Sequence, residues 1–470
     1  MPSEVALRAQ PAPPDSGRPP VSRSYAPRVV ATTAIVLALT APGQTAAISA
    51  FVDPLISGLH VSRALISTAY MAGTLAGAAA MPLAGRCIDR FGARRVMAAI
   101  GLAFGAVLVA LSAVSGIAEL TAGFVGLRMF GQGALNLTAT TAVAVYIERR
   151  RGLAMGITTA IGAAGISLAP VALESLVASH GFRVIWLAEG LVIWALVIPL
   201  ALAGLPPRPA ARNRPPAGPP ALIGPPAAAE RGLAEPACVI EPPPAEAAPP
   251  AALPASRRRG LPPADWTRAQ AMRTSMFWVI AAGIAVVSLL GTALAFDQIS
   301  LLGERGLTPA QAAANFIPQT IAGLAATLVT GYLADRFPDR SLIIASLSVL
   351  TIALAAAGYV TPGWSAIGYG VAIGVAGNSF RILEATAFPA CFGLTHIGAI
   401  RGVVHTLAVA GSAFGPVLLA LGHQWAGSYR PVVLILTALP LATIAFAALA
   451  TNPPRYPPGT EPRSEPAGAP

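Results

Sequence analysis

A short basic turn at residues 85–95, with the sequence GRCIDRFGARR, interrupts a long apolar background and then recurs in weaker form. The copy runs from Gly331 to Arg340, and its Asp335 follows Asp89 by 246 residues, the same offset that separates Gly331 from Gly85. Each copy lies between apolar stretches long enough to span a bilayer. Because a cationic turn cannot lie in hydrocarbon, each one must be an aqueous hairpin between two membrane helices. Its repetition predicts two homologous halves.

The rest of the chain has the composition of a polytopic membrane protein. Hydrophobic residues make up 55% of it, charged residues 11%, and the mean hydropathy is +0.66, well outside the usual range of soluble domains. Stretches of the length that spanning requires occur six times in each half, near 29–52, 64–84, 96–115, 118–147, 153–178 and 183–205, and near 274–297, 309–333, 341–361, 364–390, 402–424 and 430–450. We number these stretches span 1 to span 12.

The predicted fold is an all-α membrane protein whose twelve transmembrane helices form two pseudo-symmetric six-helix bundles. Pro42-Gly43 predicts a kink in span 1, and Leu261 to Arg268 is predicted to form a short interfacial helix before span 7. The predicted domains are a disordered cytoplasmic tail at 1–28, a bundle at 29–205, a proline- and alanine-rich cytoplasmic linker at 206–273, a second bundle at 274–450 and a cytoplasmic tail at 451–470.

Arginines distinguish the two ends of the predicted bundles. Turns at one end hold Arg86, Arg90, Arg94 and Arg95, then Arg149 to Arg151, then Arg336 and Arg340, and finally Arg401, whereas turns at the other end hold only Arg63, Arg183, Arg305 or Arg430. The richer end is cytoplasmic by the positive-inside rule. Both termini are therefore predicted to be cytoplasmic, in a bacterial inner or plasma membrane. The net charge of +11 follows from this topology, and no nucleic-acid partner is expected.

The turn at 85–95 resembles the loop between the second and third helices of the major facilitator superfamily, which reads roughly G-x-x-x-D-R-x-G-x-R-[RK]. Residues 126–133 (GLRMFGQG) are similar to the superfamily pattern R-x-x-x-[QG]-G in the fourth helix. Residues 146–156 (YIERRRGLAMG) look like the sequence that opens the fifth helix in monocarboxylate-porter and oxalate/formate-type members. The resemblance implies a secondary transporter that works by alternating access, most similar to that branch.

The same resemblance implies a cytoplasmic gate. Family geometry would place Asp89 near Arg401 at the start of span 11 and Asp335 near Arg149 to Arg151 at the start of span 5, where helix amides favour carboxylates. Glu148 would pair with Arg90 or Arg94. The predicted gating residues are Gly85, Asp89, Arg90, Gly92, Arg94, Glu148, Arg151, Asp335, Arg336 and Arg401.

Polar residues inside the spans mark the predicted substrate cavity, because each is unfavourable in hydrocarbon unless it faces a cavity or a partner. On span 4 they recur every four residues and on span 10 every three, which places each set on one helix face. Asn378 is also the repeat mate of Gln132, 246 residues apart. The candidate substrate-binding residues are Arg128, Gln132, Asn136, Asn378 and Arg381.

Arg381 is predicted to bind an anionic substrate, since a guanidinium suits bidentate carboxylate binding. Glu384 or Asp297 is predicted to take up a coupled proton. Three alternatives stay open: a structural or gating role for Arg128, a mutual ion pair between Arg381 and Glu384, and a solvated Asp297 at the outer mouth of span 7.

The predicted function is transport of a small organic solute, with a carboxylate favoured and proton coupling as an option. Span 8 lacks the charged pair typical of monocarboxylate porters, and span 5 matches only part of the G-P-x-x-G-G motif of drug antiporters. Efflux of drugs or metabolites and a non-transporting solute sensor remain alternatives. No nucleophile elbow, metal-ligand cluster or P-loop appears, so we expect no enzyme activity, cofactor or metal. The expected partners are a small solute and the lipid bilayer, with the protein a monomer.

Overall fold

A computed structural model describes residues 25–147, 151–207, 266–393 and 396–451. Within these ranges every regular element is helical and no strand occurs. Ten of the described helices are long and apolar enough to cross a membrane. Two further runs, at 25–59 and 117–146, reach that length only when their interrupted pieces are joined. The described chain thus forms the twelve predicted spans.

The N-terminal half contains spans 1 to 6. Their bounds are Tyr25–Ala38 and Thr45–Leu59 with a 3-10 turn at Ala41–Gly43 between them for span 1, Arg63–Phe91 for span 2, Ala93–Ser112 for span 3, Ile117–Gly126, Leu127–Leu135 and Asn136–Tyr146 for span 4, Arg151–His180 for span 5, and Phe182–Pro199 with Leu200–Gly204 for span 6.

The C-terminal half contains spans 7 to 12. Their bounds are Ser275–Phe296 for span 7, with a short helix at Gln298–Gly303 after it, Pro309–Ala314 and Phe316–Ala334 for span 8, Asp339–Ala357 for span 9, Trp364–Phe392 for span 10, Ile397–Ala426 for span 11, and Tyr429–Leu436 with Ala438–Leu449 for span 12.

The offset of 246 residues holds for the helices themselves. Span 2 begins at Arg63 and span 8 at Pro309, while spans 5 and 11 begin at Arg151 and Ile397 and are each 30 residues long. Pro170 and Pro416, which the repeat assignment pairs, lie inside spans 5 and 11 at the same distance from the helix start. The predicted repeat is confirmed by these matching positions.

Spans 1 and 4 are both interrupted where they meet. Pro42 lacks the N–H that a continuous helix needs, and the chain passes through the turn at Ala41–Gly43 before helix resumes at Thr45. A Cβ on Gly43 would lie 2.7 Å from the Leu127 carbonyl oxygen and 2.8 Å from Cα of Gly131. The two backbones therefore touch, and span 4 is a π-helix over Leu127–Leu135 at this contact. The predicted kink in span 1 is confirmed as a full break.

The two halves share an apolar core at only one end. This core joins the buried residues of the N-terminal half to C-terminal residues such as Leu294, Phe296, Leu302 and Tyr429. We call this the Arg63 end and the other the arginine-rich end. At the arginine-rich end the C-terminal half has a separate core, which includes Phe388 and contains no residue of the N-terminal half. The halves are therefore packed together at the Arg63 end, whereas no apolar core of the described residues joins them at the arginine-rich end.

The last residues before span 7 pack against the C-terminal half. Trp266 is 2% exposed, its backbone N–H donates to the Phe392 carbonyl, and its ring meets the Phe392 ring edge-on. The short helix before span 7 lies at Arg268–Ala271, where Thr267 caps it, and thus begins where the predicted helix ends. The remaining predictions for 1–24, 148–150, 208–265 and 452–470, Glu148 included, lie outside the described residues.

Candidate functional site

Arg128 lies at the contact between the two interrupted spans. Its guanidinium donates to the Gly43 carbonyl at 3.3 Å and to Oγ1 of Thr45 at 3.4 Å, and it stands over the Tyr70 ring, 4.8 Å from the centroid. The residue is 5% exposed, and no carboxylate in the described chain pairs with it. A helix break supplies the free carbonyl that partly compensates this buried cation.

The other two candidates of span 4 follow Arg128 along the helix. Gln132 is half-buried inside the π-helix, and its Oε1 has no hydrogen-bond partner. Asn136 is half-buried and begins the next helical segment, where its backbone carbonyl accepts from Thr140. Gln132 is thus an unsatisfied polar group near the level of Arg128.

Asn378 faces a helix of its own half. Its amide donates to the Gly374 carbonyl at 3.1 Å, and it leans so close to span 8 that a Cβ on Gly323 would lie 2.1 Å from its Nδ2. The next residue, Ser379, accepts from Thr330 of span 8 at 2.9 Å. In this structure Asn378 therefore joins spans 8 and 10. The repeat relation with Gln132 could not show this, because neighbouring side chains decide which way an amide turns.

Glu384 pairs with Arg401 of span 11, with 3.5 Å between Oε1 and Nη2. It does not pair with Arg381 one turn away, so the local ion pair left open by the sequence is absent. Arg381 is exposed, and no carboxylate among the described residues lies within ion-pair distance of it. Arg401, which family geometry assigns to Asp89, has its described ion pair with Glu384 instead.

Asp297 is buried between the two halves. It is 1% exposed, accepts from Nη1 of Arg63 at 3.0 Å and from the Tyr429 hydroxyl at 3.4 Å, and leaves Oδ2 without a partner. The predicted alternative of a solvated Asp297 is therefore wrong. Arg63 also binds Asp53 of its own half. We call Arg63, Asp53 and Asp297 the carboxylate latch.

Sequence reasoning missed Arg63 as a partner. Arg63 and Asp297 are 234 residues apart, and neither is the repeat mate of the other. A charged residue at the end of a span is ordinarily expected to be solvated. Only the contact between spans 2 and 7 in the folded protein shows that Arg63 binds Asp297.

Two further contacts close the Arg63 end. The rings of Tyr70 in span 2 and Phe296 in span 7 are 4.7 Å apart, and the Ser167 hydroxyl of span 5 meets the Thr320 hydroxyl of span 8. Tyr70 and Phe296 are completely buried. The closure thus combines an ion pair with a layer of aromatic packing.

The described residues of the predicted gate lie at the arginine-rich end and are largely exposed. Asp89, Arg90 and Asp335 are exposed and Arg94 is half-buried. Gly92 takes φ +82 in the turn between spans 2 and 3, a conformation that favours glycine. Arg336 stands over the Tyr332 ring, 4.1 Å from its centroid, and Arg151 begins span 5.

Four glycines near this end, two pairs of repeat mates, have open space beside them. A Cβ built on Gly85, Gly156, Gly331 or Gly402 would meet no atom within 4 Å. Most glycines nearer the middle of the spans instead touch a neighbouring helix, as Gly43 does. Spans 2, 5, 8 and 11 thus each have open space beside one glycine near the arginine-rich end in this conformation.

Within the described residues, no group of three or more histidine, cysteine, aspartate or glutamate side chains could hold a metal ion. What the site offers instead is an exposed guanidinium, a buried guanidinium beside a helix break, and two carboxylates held by arginines of other helices. These groups can bind and release a charged solute or a proton without covalent chemistry.

The family model of the Major Facilitator Superfamily matches residues 33–314. The chain belongs to this superfamily. Superfamily membership and the fold agree on a multi-pass membrane transporter. The branch within the superfamily is not identified by these matches, so the monocarboxylate-porter relation stays a prediction. No curated protein matches the chain in sequence.

Solved structures of transporters share the fold. One is a bacterial homologue of the human lysosomal transporter Spinster in an inward-facing, unoccupied conformation, with a TM-score of 0.64 and 16% identity over 91% of this chain and 97% of that one. Another is the nucleoside transporter NupG, with a TM-score of 0.65 and 13% identity over 89% of this chain and 98% of that one. Identities this low establish the shared fold alone.

Proposed function

We propose that this superfamily member is a secondary transporter that carries a small organic anion, with a carboxylate as the favoured class, and that Arg381 binds it. The supporting observation is that Arg381 is exposed while Glu384 is engaged by Arg401. An exposed guanidinium that no described carboxylate neutralises is available to an anionic ligand, and ionisable residues within membrane spans commonly line substrate pathways.

The orientation of Arg381 supports this role. Each three-residue step along a helix turns the side chain by about 60°. Asn378 faces span 8 and Glu384 faces span 11, so Arg381 points between these two spans. We infer that a solute entering from the arginine-rich end meets the guanidinium on this face of span 10.

Alternating access is supported by the unequal closure of the two ends. The carboxylate latch and the Tyr70 and Phe296 rings join the halves at the Arg63 end, whereas the apolar core at the other end holds residues of the C-terminal half alone. If the arginine-rich end is cytoplasmic, as the charge distribution predicts, this is an inward-open conformation.

Proton coupling, as part of this proposal, uses Glu384 or Asp297. Each carboxylate is held by an arginine of another helix, Arg401 or Arg63. Protonation would remove the charge that holds the pair together, so it would link proton binding to helix separation. Asp297 has the stronger claim, because its partner belongs to the opposite half.

The test is uptake of radiolabelled benzoate, lactate and oxalate into proteoliposomes. Arg381→Gln should abolish uptake of the transported carboxylate, and Arg381→Lys should impair it strongly because a lysine cannot form the bidentate pair. Arg183→Gln is the matched control, since Arg183 is exposed at the Arg63 end beside Phe182. Normal transport by Arg381→Ala would show that the anion site lies elsewhere.

A second measurement addresses the proton. Under an imposed pH gradient, Glu384→Gln or Asp297→Asn should abolish accumulation above equilibrium while sparing exchange of labelled for unlabelled substrate. If both variants still accumulate substrate, the proton travels by another route or not at all. Specific binding of a carboxylate without any flux, measured by thermal shift, would favour the sensor alternative.

A further inference from the structure

Arg128 is enclosed on the side that faces the other half. Tyr70 lies under its guanidinium and hydrogen-bonds Thr45 at 2.6 Å, and the Phe296 ring packs against the Tyr70 ring with 4.7 Å between their centroids. Phe296 directly precedes Asp297, whose pairing with Arg63 closes this end. The cover over Arg128 is therefore tied to the carboxylate latch through adjacent residues of span 7.

Unsatisfied neutral groups lie beside this cation. Thr74, one turn after Tyr70 on span 2, is 5% exposed and its hydroxyl has no partner. Gln132, one turn after Arg128, has an unpaired Oε1. A Cβ on Gly77 would lie 3.1 Å from the Arg128 backbone, so the Thr74 face of span 2 is directed at span 4. Buried polar groups are normally paired.

These groups complement a carboxylate once the cover is removed. The Arg128 guanidinium has five N–H donors. In the described chain its hydrogen bonds come from Nη1, to the Gly43 carbonyl and to Oγ1 of Thr45. The threonine hydroxyl can donate, and rotation of the glutamine amide presents its N–H groups in place of Oε1. One cation and two neutral donors thus lie along the contact of spans 2 and 4, and no carboxylate among the described residues pairs with the cation.

We propose that Tyr70 and Phe296 form a state-dependent cover, and that opening the Arg63 end uncovers Arg128, Thr74 and Gln132 as a second carboxylate subsite. This inference rests on the proposed function and deepens it. Arg381 is accessible to the substrate while the arginine-rich end is open, and Arg128 is accessible to it while the Arg63 end is open. The substrate anion then meets a different guanidinium on each side of the transport cycle.

The experiment measures the charge preference of a thiol placed in the subsite. Cys87, Cys238 and Cys391 are replaced by serine, and Thr74→Cys is introduced. Labelling rates are measured in liposomes with anionic sulfonatoethyl and cationic trimethylammonium-ethyl methanethiosulfonates, each normalised to its rate with free mercaptoethanol. Ser167→Cys, at the contact with Thr320, reports opening of the Arg63 end independently of Arg128.

Thr74→Cys should label slowly in the latched protein and faster when Arg63→Gln is added. The anionic reagent should then be favoured by about tenfold, as expected for one nearby unit charge of opposite sign. Arg128→Gln should abolish this preference while labelling continues. A preference that survives Arg128→Gln, or its absence when Thr74→Cys labels rapidly, would overturn the proposal.

A second variant removes the cover directly. Phe296→Ala should expose Thr74→Cys without any change to the latch residues. If Thr74→Cys stays unlabelled both with Arg63→Gln and with Phe296→Ala, the proposal is wrong. Labelling of Ser167→Cys in the Arg63→Gln background would then show that the Arg63 end had opened without uncovering Thr74. Arg381→Gln should leave the charge preference intact, so failure of the transport proposal is distinguishable from failure of this one.

Discussion

Gly156 offers a direct test of how the arginine-rich end closes. It precedes Ser167 by 11 residues on span 5, and Gly331 follows Thr320 by 11 residues on span 8. Eleven residues are about three helical turns, which restore the same helix face. Because spans 5 and 8 run in opposite directions from the Ser167 and Thr320 contact, Gly156 and Gly331 should meet when this end closes.

Gly156→Leu should therefore fold normally and fail to complete the cycle. The open space beside Gly156 accepts the side chain, and replacing glycine in a helix contributes roughly 0.5 to 1 kcal/mol to stability. In the closed conformation the same side chain overpacks a helix contact, at on the order of 1 to 3 kcal/mol. This lowers the closed population by about 5- to 150-fold, so transport should fall while the melting temperature does not.

The assay combines proteoliposome flux with thermal melting. Gly368→Leu is the matched control, because Gly368 also has open space beside it but lies near the Arg63 end of span 10. In addition, Gly156→Cys with Gly331→Cys should form a disulfide during turnover, which requires Cα atoms within about 7 Å, and flux should return on reduction. Wild-type flux in Gly156→Leu together with no crosslinking would refute the reasoning.

Two further predictions concern stability. Trp266→Ala should lower the free energy of unfolding by roughly 3 to 5 kcal/mol through loss of a buried aromatic, seen as a lower melting temperature, whereas Trp364→Ala, at 87% exposure, should change it little; equal effects would contradict the packing described. Gly43→Ala should reduce folded yield severely, since its Cβ would lie 2.7 Å from the Leu127 carbonyl; normal yield in size-exclusion chromatography would show that spans 1 and 4 do not touch there.

The architecture was predictable because it depends on local and periodic signals. Apolar length predicted the spans, the offset of 246 predicted the repeat, and Pro42 predicted the break in span 1 from its missing N–H. Each of these signals can be read from neighbouring residues or from two copies of one pattern.

The side-chain partners were much less predictable. Helical spacing suggested Arg381 for Glu384, yet Glu384 contacts Arg401 on the next helix. Asp297 gains its partner from the other half, and the π-helix around Arg128 arises from contact with span 1. These outcomes depend on how separate helices are packed, which spacing along one helix does not encode.

The carboxylate latch has a consequence for the speed of the transport cycle. Arg63 and Asp53 belong to one half, and Asp297 and Tyr429 belong to the other. When the halves part, the arginine keeps a carboxylate and Asp297 keeps a hydroxyl donor. Removing one partner of a buried ion pair typically costs 3 to 5 kcal/mol. Here the cost of separation is lower, because Arg63 keeps Asp53, Asp297 keeps Tyr429, and water replaces the contact that is lost. The Arg63 end can thus hold firmly when shut and still open without a large activation barrier.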